Sequence, residues 1–391
     1  MPAMVFNKPV TELTKEDIDV LIENEVQESK MLDYKRDLPT ENKEFAADVA
    51  AFANAAGGFI IFGIPEKEDA AGKRTGMPAS ADGIAKFNED EVIRRLEGIV
   101  RTNIDPKIPT LQWKAIPGFP RGPILVLYIP RSWSAPHMLT AGESRFPSRN
   151  DRNKVWLDVR EIRSAFLLSA EMPTLIRRFR DERLGRIMAD ETPVMLDGRT
   201  RVVLHVIPFS SMSMDATMDL KPWEKNLPYP MGGGGVSNFR YNFDGFLTWK
   251  SISDKLQYSY LQVFRSGALE TVSVIYTGRV QDGQFEFYPN QVEEKITGVL
   301  PDYISRYQRL GIEAPIVILV SLLNVKGATF KNQNEWFRGH RPIDREVLLL
   351  PDVILQEYPD DVKSTLRGIL RPTFDALWQA CGVAESPATP W

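Results

Sequence analysis

The run EFAADVAAFANAAGGFIIFGIPE, residues 44–66, changes its period halfway along. In its first half the large apolar residues Phe45, Val49 and Phe52 recur at three- and four-residue spacing, which places them on one face of a helix. The alanines at 46, 47, 50, 51, 53, 55 and 56 keep that helix thin enough to lie close on a sheet. Gly57 stands where a glycine ends a helix by turning left-handed. Residues 59–64 are then continuously apolar, the pattern of a strand covered on both faces. A thin helix running directly into a doubly covered strand predicts helices packed on a sheet.

Working outward from this run extends the prediction in both directions. Thr14 is placed as a helix N-cap, with Leu13 able to staple onto Ile18 and Asp17 in the capping-box position. Ile18, Leu21, Ile22 and Val26 follow as one apolar helix face. Residues 31–36 alternate as a short strand, with Leu32 and Tyr34 on one face and Asp33 and Lys35 on the other. After a polar loop at 66–85, the pattern predicts a helix at 89–100, strands at 111–116 and 124–129, and a closing helix at 159–168. The fold class is α/β in the broad sense (α+β): a mixed sheet with packed helices occupies residues 1–170. An arginine-rich helix beginning at Pro173 reads as a connector over 171–190. Residues 191–391 form a second α+β domain, with strands expected at 202–207, 242–249, 258–264, 269–276, 316–322 and 347–350 and helices at 292–310 and 360–380. That domain carries no chemical motif, and its expected roles are sensing, partner binding or oligomerisation.

A length of 391 residues agrees with two cores rather than one. No apolar run reaches the 18 residues or so that a membrane span needs, and the first residues lack the basic-then-apolar layout of a secretory signal. The expected location is therefore the cytoplasm. The single cysteine, Cys381, excludes an internal disulfide and a cysteine zinc site, and His137, His205 and His340 lie far apart. Any metal would be held by oxygen. His137 reads as structural and His205 as core.

The net charge of −4 is unevenly spread. Acids outnumber bases twelve to six in the first 50 residues, whereas residues 121–163 hold eight bases against four acids. Five arginines follow at 177, 178, 180, 183 and 186. That distribution suits a polyanion groove beside an acidic centre, and it also suits solvated helix faces.

Three segments gather the reactive side chains. Glu28-Ser29-Lys30-Met31-Leu32-Asp33-Tyr34-Lys35 brings two acids and a lysine to a helix-to-strand junction. Ala51-Phe52-Ala53-Asn54-Ala55-Ala56-Gly57-Gly58 leads into the buried strand, and Phe62-Gly63-Ile64-Pro65-Glu66 places an acid just past it. Neighbouring strands would set Asp33 and Glu66 at one sheet edge, with Glu28 entering from the preceding loop. Asn54 would either touch this site or cap the helix.

This order of motifs resembles the AlbA_2 domain of the Schlafen family, over roughly residues 12–168. Arg145-Phe146-Pro147-Ser148-Arg149 and the segment 159–166 look like that domain's closing strand and helix. The resemblance implies a metal-dependent endoribonuclease acting on structured RNA of the tRNA and rRNA class. Glu28, Asp33 and Glu66 would hold Mg²⁺ or Mn²⁺, and Lys35 would neutralise charge on the phosphate. Hard ions of this kind favour carboxylate oxygen. Two departures stand out: Asp33 replaces the usual Glu, and Glu66 replaces the Asp of animal Schlafens. The zinc-binding cysteines of those proteins are absent, and no second copy of the motif occurs, so a homodimer would supply a second lobe. Arg145, Arg149, Arg152, Arg177, Arg180 and Arg183 are the expected contacts to RNA or DNA. A non-catalytic DNA- or RNA-binding regulator is the rival reading, and an ATP-binding protein the third. The third lacks support, because neither G-x-x-x-x-G-K-[ST] nor G-x-G-x-x-G occurs.

Overall fold

The computed structural model describes residues 5–387 apart from 7, 9, 109–110, 143, 151–152, 199, 214–215, 233, 254–255, 276, 280–284, 287, 331–341 and 360. The chain divides into two compact units, Met1–Glu171 and Met172–Trp391.

In the first unit α1 (Lys15–Glu23) precedes β1 (Leu32–Lys35), α2 (Asn42–Asn54) and β2 (Gly58–Phe62). A small hairpin, β3 (Glu66–Glu68) and β4 (Arg74–Pro78), occupies part of the expected polar loop. Then come α3 (Glu89–Asn103), β5 (Gln112–Ile116), β6 (Ile124–Ile129), a second hairpin of β7 (Pro147–Asn150) and β8 (Asn153–Trp156), and α4 (Val159–Met188). The main sheet runs β1-β2-β6-β5, with β1 parallel to β2 and the other pairs antiparallel.

The doubly covered strand is β2. Ile60 and Phe62 join Phe45, Val49 and Phe52 of α2 in one core, while Phe59 and Ile61 join Leu32, Tyr34 and α1's Ile18 and Leu21 in the other. Burying each such side chain contributes roughly 1.5–3 kcal/mol. Truncating Phe52 would leave a hole against the sheet and cost about 3–5 kcal/mol. The α1 start is as the sequence predicts: the Thr14 N–H and hydroxyl both donate to Asp17 Oδ2, at 2.7 and 3.0 Å.

Gly57 has φ +72°, and a Cβ there would sit 2.5 Å from the Arg131 backbone nitrogen. Only glycine accepts both conditions, so α2 can turn into β2 within two residues.

Two expectations about α4 are corrected. The sequence places a helix end before Pro173, yet one helix of 30 residues runs through it. Proline removes one backbone hydrogen bond, and buried Met172 and Ile176 on either side anchor the helix through that defect. The final turns are no solvated connector, since Leu184 and Ile187 are buried with Val203, Tyr260 and Val272 in a core of the second unit.

The second unit is built on an antiparallel sheet: β9 (Arg201–Pro208), β10 (Asn238–Tyr241), β11 (Gly245–Ser251), β12 (Gln257–Phe264), β13 (Leu269–Val274), β14 (Ile316–Leu323), β15 (Val347–Leu349) and β16 (Val353–Leu355). The order is β10-β11-β12-β13-β9-β14-β15, with β16 also on β14. Helices α5 (Pro289–Thr297), α6 (Leu300–Arg309) and α7 (Val362–Ala380) pack in the large core of this unit through residues such as Ile296, Tyr303, Tyr307, Leu370 and Leu377. The single helix expected at 292–310 is two, because Gly298 caps the first and Pro301 opens the second.

Candidate functional site

Strand periodicity makes the first pair. Asp33 and Lys35 are two residues apart on β1 and share its α2-facing side, with Lys35 Nζ 2.7 Å from Asp33 Oδ2. α2 brings Asp48 over the same face, its Oδ2 3.9 Å from Lys35 Nζ. The β7–β8 hairpin then lays two cations on these acids. Arg149 and Lys154 stand directly opposite each other across the hairpin. Arg149 Nη1 lies 3.5 Å from Asp33 Oδ1, and Lys154 Nζ lies 2.7 Å from Asp48 Oδ1. The Arg149 guanidinium also sits 4.2 Å from the Phe52 ring centroid and donates to the Ser29 carbonyl at 3.1 Å.

Asn54, at the end of α2, fixes where the hairpin begins. Its Nδ2 donates to the carbonyls of His137 and Pro147 at 2.8 and 2.7 Å, and its Oδ1 accepts from the His137 N–H at 2.6 Å. Asn54 is thus a latch, two residues from Arg149 along β7, rather than a helix cap. His137 is structural as expected: it is fully buried, and Nδ1 lies 2.6 Å from the Pro106 carbonyl oxygen.

Glu28 enters from the loop before β1, where its Oε1 accepts from the Tyr34 N–H at 2.7 Å. Its own N–H donates to the Gly76 carbonyl of β4 at 2.8 Å, tying the loop to the first hairpin. Glu66 opens that hairpin with a largely buried carboxylate, and the mostly exposed Arg74 reaches it at 3.5 Å. Burial and then the charge of Asp33, with a smaller push from Glu66, raise the Glu28 carboxyl to about 7, although the Tyr34 N–H pulls the other way. Burial works against the Lys35 ammonium, but Asp33 and Asp48 outweigh it and hold its pKa above the ordinary value.

Glu28, Asp33, Lys35 and Glu66 therefore share one electrostatic site. Among the described residues, no three side chains are already gathered as a metal-ligand set. The donor chemistry nonetheless suits a hard divalent ion, since the acids are oxygen ligands and no thiol or imidazole stands among them.

The expected RNA contacts divide by depth. Arg145 is exposed beside Trp156, its guanidinium 5.4 Å from the ring centroid. Arg152 lies outside the described residues. Arg149 is corrected: with its side chain 3% exposed, it is a clamp on Asp33 and not an open phosphate contact. Arg180 and Arg183 are corrected too. Arg180 is buried against Asp181 and Asp352, and Arg183 is buried on Glu270. Arg177 is 59% exposed and pairs with Asp352 at 3.1 Å.

Sequence reasoning missed Asp48 and Lys154. The signal for Asp48 was present, as it is the one charged residue in the otherwise buried apolar run 45–53. Lys154 follows from recognising Asn150 and Asn153 as the ends of a tight hairpin, which fixes its register opposite Arg149.

Residues 28–158 match the family model described as Schlafen, AlbA_2. Among curated proteins no sequence matches the chain. The solved N-terminal domain of a RecG-related protein from Nitrosomonas europaea is 23% identical, spans 36% of this chain and 94% of its own, and superposes with a TM-score of 0.26. A Corynebacterium diphtheriae protein is 18% identical over 40% of this chain and 25% of its own, with a TM-score of 0.22. The matched span holds Glu28, both hairpins and every charged group of the site, so the site lies inside the part of the chain that is similar to a Schlafen AlbA_2 domain.

Proposed function

We propose that the first unit acts on nucleic acid as a metal-dependent endoribonuclease of structured RNA. The observation that carries this reading is the Glu28 carboxyl at about 7 beside Asp33 and Glu66. Glu28 is buried and has two further acids beside it, so its charged form is disfavoured near neutrality and a proton relieves it. A divalent cation would relieve it better. Glu28, Asp33 and Glu66 would hold Mg²⁺ or Mn²⁺, which supplies a Lewis acid for the scissile phosphate. The protein's own contribution is positional. Lys35 is held at the β1 edge by two aspartates, ready to neutralise phosphate oxygen. The Asn54 latch and the Phe52 ring fix the hairpin that confines Asp33.

One observation favours the rival reading of a non-catalytic RNA or DNA binder: both oxygens of Asp33 already face cations, Lys35 and Arg149. The two readings part on a single experiment. Purified protein is incubated with tRNA, rRNA and single-stranded DNA, in Mn²⁺ or in EDTA, alongside Glu28→Ala and Asp33→Ala. Cleavage in Mn²⁺ that both variants lose while keeping RNA affinity supports the nuclease. Binding without cleavage supports the regulator. Equal cleavage by all three proteins assigns the activity to a contaminant.

A further inference from the structure

The charged groups around β1 are arranged with a symmetry that the nuclease reading alone does not require. Asp33 gives Oδ1 to Arg149 and Oδ2 to Lys35. Asp48 gives Oδ1 to Lys154 and turns Oδ2 toward Lys35. Each aspartate is therefore pinned on one oxygen by a cation of the β7–β8 hairpin, and the two pinning residues are cross-strand partners. Lys35 stands between the two remaining oxygens, 2.7 Å from Asp33 and 3.9 Å from Asp48.

The three cations differ in freedom. Arg149 is sealed by Phe52 and tied to the Ser29 carbonyl, so it cannot leave Asp33 without unpacking α2. Lys154 is fixed at hydrogen-bonding distance. Lys35 is 38% exposed at the side chain and ends a flexible four-carbon stem. A rotation carrying Nζ little more than an ångström would exchange its closer partner.

We propose that Lys35 is an internal counter-ion that covers Asp33 Oδ2 in the ion-free site, and that Asp48 is the acceptor receiving it when a divalent cation binds. Lys35 and Asp48 are in this sense positioning residues. The inference rests on reading the carboxylates as a metal site. It explains why Asp33 is neutralised although the donor set suits an ion: the site is closed by a competitor, not abolished. It also assigns a purpose to Asp48, the one acid in the buried run 45–53 of α2, and to Lys154, which leaves only one Asp48 oxygen open. A lysine moved from Asp33 to Asp48 would remain at the site, one side chain away from a bound phosphate.

The test is Mn²⁺ binding to the full-length, RNA-free protein, measured by calorimetry and by the electron paramagnetic resonance signal of free Mn²⁺. Removing a charge-assisted contact that competes with the ion should tighten Mn²⁺ binding by Lys35→Met on the order of tenfold. Asp48→Asn removes the acceptor, holds Lys35 on Asp33, and should weaken binding several-fold. In the Lys35→Met background the Asp48→Asn change should lose most of its effect. That coupling separates a mechanical exchange from a mere change of charge nearby. Wild-type affinity in Lys35→Met overturns the proposal while leaving the metal site standing. An equal Asp48→Asn effect in both backgrounds overturns the role given to Asp48. Should Lys35→Met fail to fold, unchanged affinity in Asp48→Asn alone is sufficient to overturn it. Absence of Mn²⁺ binding in every protein removes the metal reading itself, and the proposal with it.

Discussion

Two glutamates in this chain are held in opposite ways. Glu270, on β13 of the second unit, is fully buried and receives the Arg183 guanidinium on both oxygens at 2.8 and 2.9 Å. His205 Nε2 lies 3.0 Å from one of those oxygens, and the Tyr260 hydroxyl donates to the other at 2.8 Å. Burial alone would raise this carboxyl, but the hydrogen bonds from Arg183 and His205 overcome it and draw the group down to about 2. Glu28, in the first unit, is raised to about 7 by burial and then by two acidic neighbours, against a single backbone N–H. An acid given every partner it can use is committed to structure. An acid left short of positive charge is available for a proton, a metal or a substrate, which is why such groups mark functional sites.

The largest expected effect tests the closed network. Arg183→Met would leave the buried Glu270 carboxylate with His205 and Tyr260 but without its guanidinium, a loss worth about 3–5 kcal/mol of stability in urea titrations of the whole chain. Glu28→Gln should move stability by no more than about 1 kcal/mol, because it removes a charge that nothing fully compensates. Comparable losses in the two variants would erase the distinction between the sites.

Activity should invert the ranking. Glu28→Gln should lower Mn²⁺-dependent RNA cleavage at least about a hundredfold, near 2.7 kcal/mol of barrier. Arg183→Met, assayed at a temperature where it remains folded, should cleave within a fewfold of wild type. Gel-based rates at saturating Mn²⁺ decide the matter, and retention of full activity by Glu28→Gln would remove Glu28 from the site.

Much of this contrast was hidden from sequence for physical reasons. The shared face of Asp33 and Lys35 was legible because a strand alternates with period two, and the α2-to-β2 passage because Gly57 and the apolar run announce it. Charge is visible in sequence, but depth is not. Arg149 and Arg183 read as open phosphate contacts, yet one is turned inward from its hairpin onto Phe52 and the other is turned inward from α4 onto a glutamate 87 residues away. His205 was read correctly as buried from its apolar strand, but its partner Glu270 lies on a neighbouring strand, and only the pairing of β9 with β13 sets them side by side. Asp48 looked like one polar residue on a helix until β1 supplied Lys35 opposite it.

The two glutamates should also give opposite pH dependences in EDTA. A carboxyl raised on folding makes the native state bind its proton more tightly, so stability falls as pH rises from the ordinary value near 4.5 toward 7, then levels. Because Glu28 is partly exposed, screening should limit this to about 1 kcal/mol, and Glu28→Gln should flatten it. Glu270 is lowered instead. Its contribution is present above about 4.5 and is lost as pH falls toward 2. Urea midpoints from pH 5 to 8, wild type against Glu28→Gln, isolate the first slope. Parallel curves in that range would mean that Glu28 titrates like an ordinary surface acid.

The smallest effect separates structure from binding within α4 itself. Side-chain exposure falls from 59% at Arg177 to 9% at Arg180 and 9% at Arg183. The row turns inward along the helix, as residues 100° apart must when only one face is buried. Arg177→Ala breaks a surface pair with Asp352, so its cost in stability should stay within about 0.5 kcal/mol. Of these three arginines, Arg177 alone offers its guanidinium to solvent, and any phosphate contact by these three has to pass through it. Such a contact releases counterions without reading sequence. Arg177→Ala should therefore reduce the slope of log K against log salt by the equivalent of about one phosphate contact, with the same reduction for unrelated sequences. A slope equal to wild type would make all three arginines part of the scaffold, leaving Arg145, exposed beside Trp156 in the first unit, as the cation to test next.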